Sequence, residues 1–238
     1  MLVSLLKKRV KPGRIQFTWN EIWRICLAVL VLGFLFSFGD NYSSWGAVIF
    51  NFLRITVLIG FGFVFHELGH KVVAQMLGAD AYFQLWDKGL ILSIIVGLVT
   101  YGKLIFFAPG YVLIRAGKRF GFSRDLTLDD EAFISLAGPV TNLVIAFGIK
   151  ILSPFLPVTV WSLIVSINAW LALFNLLPFP PLDGSKVFFW NRTIWLVVFL
   201  FALGALFLLP FINFVFALSI TLAVVVMGLL LLVKYKLA

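Results

Sequence analysis

His66, Glu67 and His70 are the residues whose types and spacing most favour metal chemistry. They form a His-Glu-x-x-His run that contains the only two histidines of the chain. On a helix, residues four apart lie one turn above each other, so both imidazoles would share a face with Glu67 beside them. The run predicts half of a zinc site with its own general base. The alternative role for Glu67 is a structural acid that orients a histidine.

A catalytic zinc ion usually has three protein ligands and one open position, so the two histidines leave it one ligand short. Asp183 is the candidate third ligand, because it follows a segment broken by prolines and precedes Gly184, which lets the backbone turn. On spacing alone, Asp183 could equally be the N-cap of a helix over 184–190. Both interpretations remain open at this point.

Composition places these polar residues in an apolar environment. Of the 238 residues, 62% are hydrophobic and 12% are charged, and the mean hydropathy is +1.09. This is too little polar surface to cover a soluble globule, so the sequence predicts an α-helical integral membrane protein. Ionisable residues inside apolar runs are costly unless they are paired, metal-bound or water-facing. The setting therefore favours a functional role for the histidine run.

The net charge of +9 has a topological explanation. Basic residues cluster at 7–14, 115–124 and 234–236, between or beside apolar runs. By the positive-inside rule they predict a multi-pass protein of the cell membrane with both termini in the cytoplasm. The lipid bilayer is the expected partner and nucleic acid is not, because no basic, aromatic surface module is visible. The sequence carries no signal that sets an oligomeric state.

Apolar runs predict about six transmembrane helices in a single domain, with no separate soluble domain and a catalytic core at about 46–190. The expected spans are about 22–38, 45–77, 131–152, 158–177, 193–209 and 211–233. A crossing takes about 20 residues, so His66 should lie toward the cytoplasmic half of the span that begins at Trp45. Gly78 is the expected stop of that helix.

The segment between the second and third spans predicts a small membrane-associated β-hairpin. Residues 81–86 are rich in aromatics and could form a strand, and two β-rich runs within 103–115 surround Pro109 and Gly110, which favours a turn there. Residues 90–107 contain another apolar run. It either crosses the membrane or is re-entrant, and the basic residues that follow favour the re-entrant form.

Three ordered motifs carry a resemblance to a known family. They are His-Glu-Leu-Gly-His at 66–70, Ala-Gly-Pro-x-x-Asn at 137–142 and Asn-x-x-Pro-x-x-Pro-Leu-Asp-Gly at 175–184. Together they resemble the site-2 protease family of intramembrane zinc metalloproteases. The chain departs from that pattern in its apolar insertion at 89–102.

The resemblance implies one zinc ion held by His66, His70 and Asp183, with Glu67 as the catalytic base. It further implies that two asparagines of the later motifs line the site and steady the substrate or its oxyanion. These asparagines are Asn142 and Asn175.

By the same resemblance, the expected function is hydrolysis of peptide bonds within or next to transmembrane segments, in regulated intramembrane proteolysis. Membrane-spanning protein substrates are then the expected partners. The alternative is a catalytically inactive zinc-binding scaffold or pseudoprotease, which the intact Glu67 disfavours. A metal transporter would need ionisable residues along a pathway, and the other spans offer almost none.

Overall fold

The protein is an α-helical membrane protein with a small antiparallel sheet. The computed structural model describes residues 15, 17–38, 44–102, 109–116, 118–119, 122–123 and 126–235. Within them the helices are α1 (Trp19–Ser37), α2 (Trp45–Met76), α3 (Asp87–Val99), α4 (Leu128–Leu152), α5 (Val158–Asn175), α6 (Asp183–Trp190), α7 (Arg192–Phe207) and α8 (Phe214–Tyr235). The strands are β1 (Ala79–Leu85), β2 (Gly110–Ala116), β3 (Lys118–Arg119) and β4 (Phe122–Ser123), and a 3-10 turn covers Ser153–Phe155. The basic cluster at 7–14 lies outside the described residues.

Four of these helices are long and apolar enough to cross a membrane, namely α1, α2, α4 and α5. The helix α7 and the segment Phe214–Leu230 of α8 are also apolar, and all six helices lie close to the six predicted spans. The helix α3 has 13 residues, which gives it a length of about 20 Å. A crossing needs about 30 Å, so this helix alone is too short to span the bilayer.

Local sequence explains where the main helices begin and end. Thr18 and Glu21 form a capping box at the start of α1, and Thr127 and Asp130 form another at the start of α4. The second box begins α4 three residues earlier than the sequence predicted. Gly78, at φ +77°, follows the end of α2 as predicted, in a conformation that glycine adopts without strain.

The sheet joins β1 to β2 in an antiparallel register that runs from Ala79 opposite Ala116 to Leu85 opposite Gly110. The small sheet was predicted, but the pairing around Gly110 was wrong, because Gly110 begins β2 instead of forming a turn. The first of the two β-rich runs, at 103–108, lies outside the described residues. Burial explains the observed register: Ala79, Ala81 and Val112 pack in one cluster with residues of α2 and α4.

The helix α2 packs against α1, α4, α5 and β1. Its contact with α4 is close, because a Cβ at Gly69 would overlap the Thr141 hydroxyl and lie 2.9 Å from the Ala137 carbonyl oxygen. Small residues at helix contacts are typical of membrane bundles. This contact brings the histidine face of α2 against the Gly-Pro-x-x-Asn segment of α4.

Candidate metal centre

Two distant segments bring three predicted ligands together. Helix periodicity places the rings of His66 and His70 4.7 Å apart, and the N-terminus of α6 supplies Asp183. The Asp183 Oδ2 atom lies 3.3 Å from His66 Nε2 and 3.0 Å from His70 Nε2. All three side chains are buried. The prolines of 178–181 keep the preceding segment out of a helix, which leaves Asp183 at a helix start.

These distances suit a tetrahedral zinc ion. Two ligand atoms at ordinary Zn–N and Zn–O distances lie about 3.3 Å apart on a tetrahedron, close to the values observed. The second oxygen of Asp183, Oδ1, is buried and has no hydrogen-bond partner in the described structure. Two histidine nitrogens and one carboxylate, whose second oxygen has no other partner, form the three-residue donor set of a catalytic zinc site.

Gly138 of α4 keeps one side of the centre open. A Cβ at this position would overlap His70 Nε2 and lie 2.5 Å from His66 Nε2. A glycine here therefore leaves space next to both nitrogens that any other side chain would fill.

Glu67 lies beside the histidines and is buried, with 4% of its surface exposed. A carboxylate oxygen of Glu67 and one nitrogen of each histidine lie within 4.8 Å of one another. A buried carboxylate within this distance of the ligand atoms is positioned to act as a general base.

Hydrogen bonds on the far side of each ring determine which nitrogen is free. Asn142 donates through Nδ2 to Asn168 Oδ1 at 2.8 Å and to the Gly62 carbonyl at 3.1 Å, so its Oδ1 is the acceptor for His66 Nδ1 at 2.5 Å. His70 Nδ1 donates to the Ile134 carbonyl at 2.7 Å. Both Nδ1 atoms therefore carry a proton, which makes Nε2, the nitrogen that faces Asp183 in each ring, the one available to bind a metal ion.

The two asparagines predicted for substrate or oxyanion contact have different surroundings. Asn142 is fully buried, and its amide is already bonded to protein groups, which suits orientation of His66. Asn175 is also buried and donates to the Leu171 carbonyl of its own helix at 2.9 Å. The role of Asn175 toward substrate stays a prediction.

The sequence interpretation missed Asn168. This fully buried residue of α5 accepts from Asn142 and donates to the Ile164 carbonyl at 2.9 Å. We call His66, Asn142 and Asn168 the asparagine relay. The available signal was an asparagine in the middle of an apolar span, where polar side chains need partners.

The interpretation also missed the ion pair of Glu21 and Lys71. Lys71 Nζ lies 2.8 Å from Glu21 Oε1 and donates to the Ala81 carbonyl at 2.8 Å, while the Phe83 amide donates to Glu21 Oε1 at 3.1 Å. We call Glu21, Lys71 and these two backbone groups the ion-pair cluster. It fastens α1 and β1 to α2 directly after His70.

Comparison with known proteins agrees with the geometry. "Putative zinc metalloprotease MJ0611" of Methanocaldococcus jannaschii is 40% identical over 194 residues, which cover 79% of this chain and 94% of that protein. The chain belongs to the zinc metalloprotease family. "Putative zinc metalloprotease YwhC" of Bacillus subtilis is 27% identical to this zinc metalloprotease over 213 residues, with 73% and 91% of the two chains covered.

A third relative, "Putative zinc metalloprotease sll0528" of Synechocystis, is 29% identical over 184 residues, and the match spans 40% of its length. No protein-family model matches the chain, and no solved structure matches it. The buried His-Glu-His group of this zinc metalloprotease accommodates one metal ion, and zinc is its cofactor.

Proposed function

We propose that this zinc metalloprotease is an intramembrane endopeptidase of the site-2 protease type. It hydrolyses peptide bonds within or next to the transmembrane segments of membrane-anchored proteins. The observation that carries the proposal is the meeting of His66, His70 and Asp183, with Glu67 beside them, among helices apolar enough to cross a membrane. Substrates in the bilayer can reach such a buried centre without leaving the membrane.

His66, His70 and Asp183 would hold the zinc ion. When bound, the ion supplies Lewis-acid chemistry toward water and the scissile carbonyl. Glu67 takes the proton of the attacking water and delivers it to the leaving amine. Asn142 and the Ile134 carbonyl keep the histidine rings in the tautomer that leaves Nε2 free.

A substrate helix must unwind first, because its carbonyls are bonded within the helix. The sheet offers a place for an unwound strand, by β-strand addition. The outer edge of β1 is occupied, since the Ala81 carbonyl and the Phe83 amide bond to the ion-pair cluster. The register then turns the backbone groups of Val112 away from β1, and the Val112 carbonyl accepts from Lys186 Nζ at 3.0 Å. This single lysine bond, which an added strand would have to replace, brings the outer edge of β2 beside α6, the helix of Asp183, and we place the substrate strand there.

The cell membrane is the proposed location, with both termini in the cytoplasm and the centre toward the cytoplasmic half of the bilayer. The basic clusters at 7–14 and 234–236 support this orientation through the positive-inside rule. Labelling of a single cysteine introduced near each end, in intact cells and in lysed cells, tests it. Labelling of either end in intact cells by an impermeant reagent would contradict it.

The deciding experiment compares the wild type with Glu67→Gln, using zinc analysis and cleavage of a model membrane-spanning substrate. Both proteins should bind zinc, and the variant should cleave about 10²–10⁴-fold more slowly. Equal rates would remove Glu67 from the mechanism. Zinc binding without cleavage by the wild type would favour the scaffold alternative.

Two further arms test the finer parts of the proposal. A soluble, unfolded peptide with the same cleavage sequence should be a poorer substrate, and equal cleavage would argue against intramembrane specificity. Val112→Pro removes an amide that points away from β1, so it should slow cleavage while zinc binding persists. Unchanged cleavage would exclude the outer edge of β2.

A further inference from the structure

A cavity of about 560 Å³ lies at the end of α4 that is far from the metal centre. Lys150 and Trp161 line it together with Ser153, Phe211, Phe214 and Val215. Lys150 follows Gly138 by twelve residues on α4, which corresponds to about 18 Å along the helix. The cavity is therefore separate from the zinc site.

Lys150 is the reason to regard this cavity as a binding site. The residue is 8% exposed, and its Nζ lies 4.1 Å from the ring centroid of Trp161. Among residues 15–235, as far as they are described, no carboxylate forms an ion pair with it and no hydrogen bond to its Nζ is found. A buried ammonium is costly unless a counter-charge neutralises it. The ring face supplies only part of that compensation.

A second positive element lies in the same wall. Phe214 and Val215 are the first two residues of α8, so the amide end of this 22-residue helix borders the cavity. Helix N-termini carry a partial positive charge and bind anions through their free N–H groups. The Val215 amide is already bonded to Asn213 Oδ1 at 2.9 Å, so the helix end contributes its partial positive charge and not this N–H group. The helix end and Lys150 together favour an anion.

Beside the polar Ser153 and Asn213, much of the remaining lining is apolar. Phe211 is 79% exposed and Val215 is 65% exposed, and both border the cavity that holds the lysine. A ligand that fits this arrangement has an anionic group next to a long apolar part. A phospholipid, whose phosphate adjoins long acyl chains, has this chemistry.

We propose that this cavity binds the phosphate group of an anionic phospholipid. The phosphate lies between Lys150 Nζ and the N-terminus of α8, and an acyl chain lies along Phe211. A phospholipid headgroup and free inorganic phosphate both carry a phosphate anion, so the experiment must distinguish the two.

The test uses the purified full-length chain in detergent and native mass spectrometry. Dioleoyl phosphatidylglycerol and dioleoyl phosphatidylcholine are titrated separately, and the bound lipid is counted. The wild type should retain the anionic lipid more strongly. Lys150→Gln should lower that preference about fivefold, the contribution of one lysine near an anionic surface. Lys88→Gln, which removes an equal charge from an exposed position, should leave it unchanged.

A second pair of variants keeps the test decisive if Lys150→Gln fails to fold. Val215→Glu places a carboxylate at the cavity in the first turn of α8, where an acid is compatible with the helix. It should abolish the lipid preference, whereas Val215→Gln should retain it. Zinc content measures the integrity of each variant, since the metal centre is remote.

Inorganic phosphate distinguishes the two sources. Persistence of phosphatidylglycerol at a large excess of phosphate supports a lipid site. Displacement of phosphatidylglycerol by phosphate, with the same result for lipids of any acyl-chain length, would mean that the cavity binds a free anion and not a lipid. Equal retention of both lipids by the wild type would overturn the proposal, as would a preference that survives both Lys150→Gln and Val215→Glu. In that case the charge of Lys150 would interact only with the partial negative charge at the C-terminal end of α4, in whose last turn it lies.

Discussion

The ion-pair cluster and the asparagine relay both contact α2 near its histidines. The first is built from charged side chains and the second from uncharged amides. The ion-pair cluster joins Glu21 to Lys71 and reaches the backbone of β1. The asparagine relay has no carboxylate or ammonium group, and it joins α2 to α4 and α5 through side-chain amides. One grouping fastens structural elements, and the other determines which nitrogen of a ligand is free.

Both groups of side chains are buried, but the loss of a member should have different consequences in each. A buried charge that loses its partner destabilises the fold strongly, so the ion-pair cluster should govern stability. A neutral amide that orients a ligand changes metal affinity with a smaller effect on folding. We therefore expect variants in the two groupings to separate stability from zinc binding.

The largest expected effect on zinc binding comes from Gly138, which lies against both histidine Nε2 atoms. Gly138→Ala should lower zinc affinity by more than about a hundredfold, beyond the range for partners of ligands, because its methyl group would overlap His70 Nε2. Competition with a chelator measures this affinity. Gly148→Ala is the matched control, since a Cβ there meets nothing within 4 Å. Equal zinc binding by the two variants would show that the ion does not occupy the space at Gly138.

Breaking the ion-pair cluster should affect stability. Lys71→Met leaves Glu21 buried without its counter-charge and should reduce the free energy of unfolding by about 3–5 kcal/mol. Denaturant titration of the reconstituted protein measures the loss. The double variant Glu21→Gln/Lys71→Met should recover most of it. A double variant as unstable as the single one would mean that the charge pair itself is not the cause.

Breaking the relay at Asn142 should affect zinc binding. Asn142→Ala removes the acceptor of His66 Nδ1 and should lower zinc affinity about 10–100-fold, with a smaller loss of stability than that of Lys71→Met. The same chelator competition applies. An unchanged affinity would argue that the orientation of His66 does not depend on this amide.

The smallest effect is expected at the far end of the relay. Asn168→Ala removes one acceptor of Asn142 Nδ2 but leaves the Gly62 carbonyl, so zinc affinity should fall only about fivefold, the weight of one hydrogen bond. Asn175→Ala is the control on the same helix, because its side chain bonds within α5. A change as large as that of Asn142→Ala would mean that Asn168 acts on the metal by another route.

Local patterns predicted much of this architecture. Apolar runs placed the six main helices, because hydrophobic length is a property of each segment alone. The spacing of His66 and His70 predicted a shared helix face for the same reason. Spacing left Asp183 open between a metal ligand and an N-cap. The N-cap interpretation was wrong, because Leu182 is the N-cap and Asp183 is the first residue of α6, where its side chain contacts both histidines.

Long-range pairing could not be predicted from the residues. The sequence predicted that residues 103–115 pair with each other around Gly110. The strand β2 pairs with β1 instead, because both strands pack against α2 and α4. Glu21 and Lys71 are 50 residues apart, and no local pattern indicates that they pair. The direction of the Asn142 amide depends on Asn168 and Gly62, which lie on other segments.

The close contact of α2 with α4 at Gly69 constrains the route by which a peptide could enter. The two helices touch through backbone at that level, so they cannot be pushed apart without losing the packing that aligns Gly138 with the imidazoles. The ligand from α6, by contrast, arrives on a short helix after an irregular, proline-rich stretch. If the proposed function holds, a substrate strand would therefore enter on the side of α6 and the sheet and not between α2 and α4.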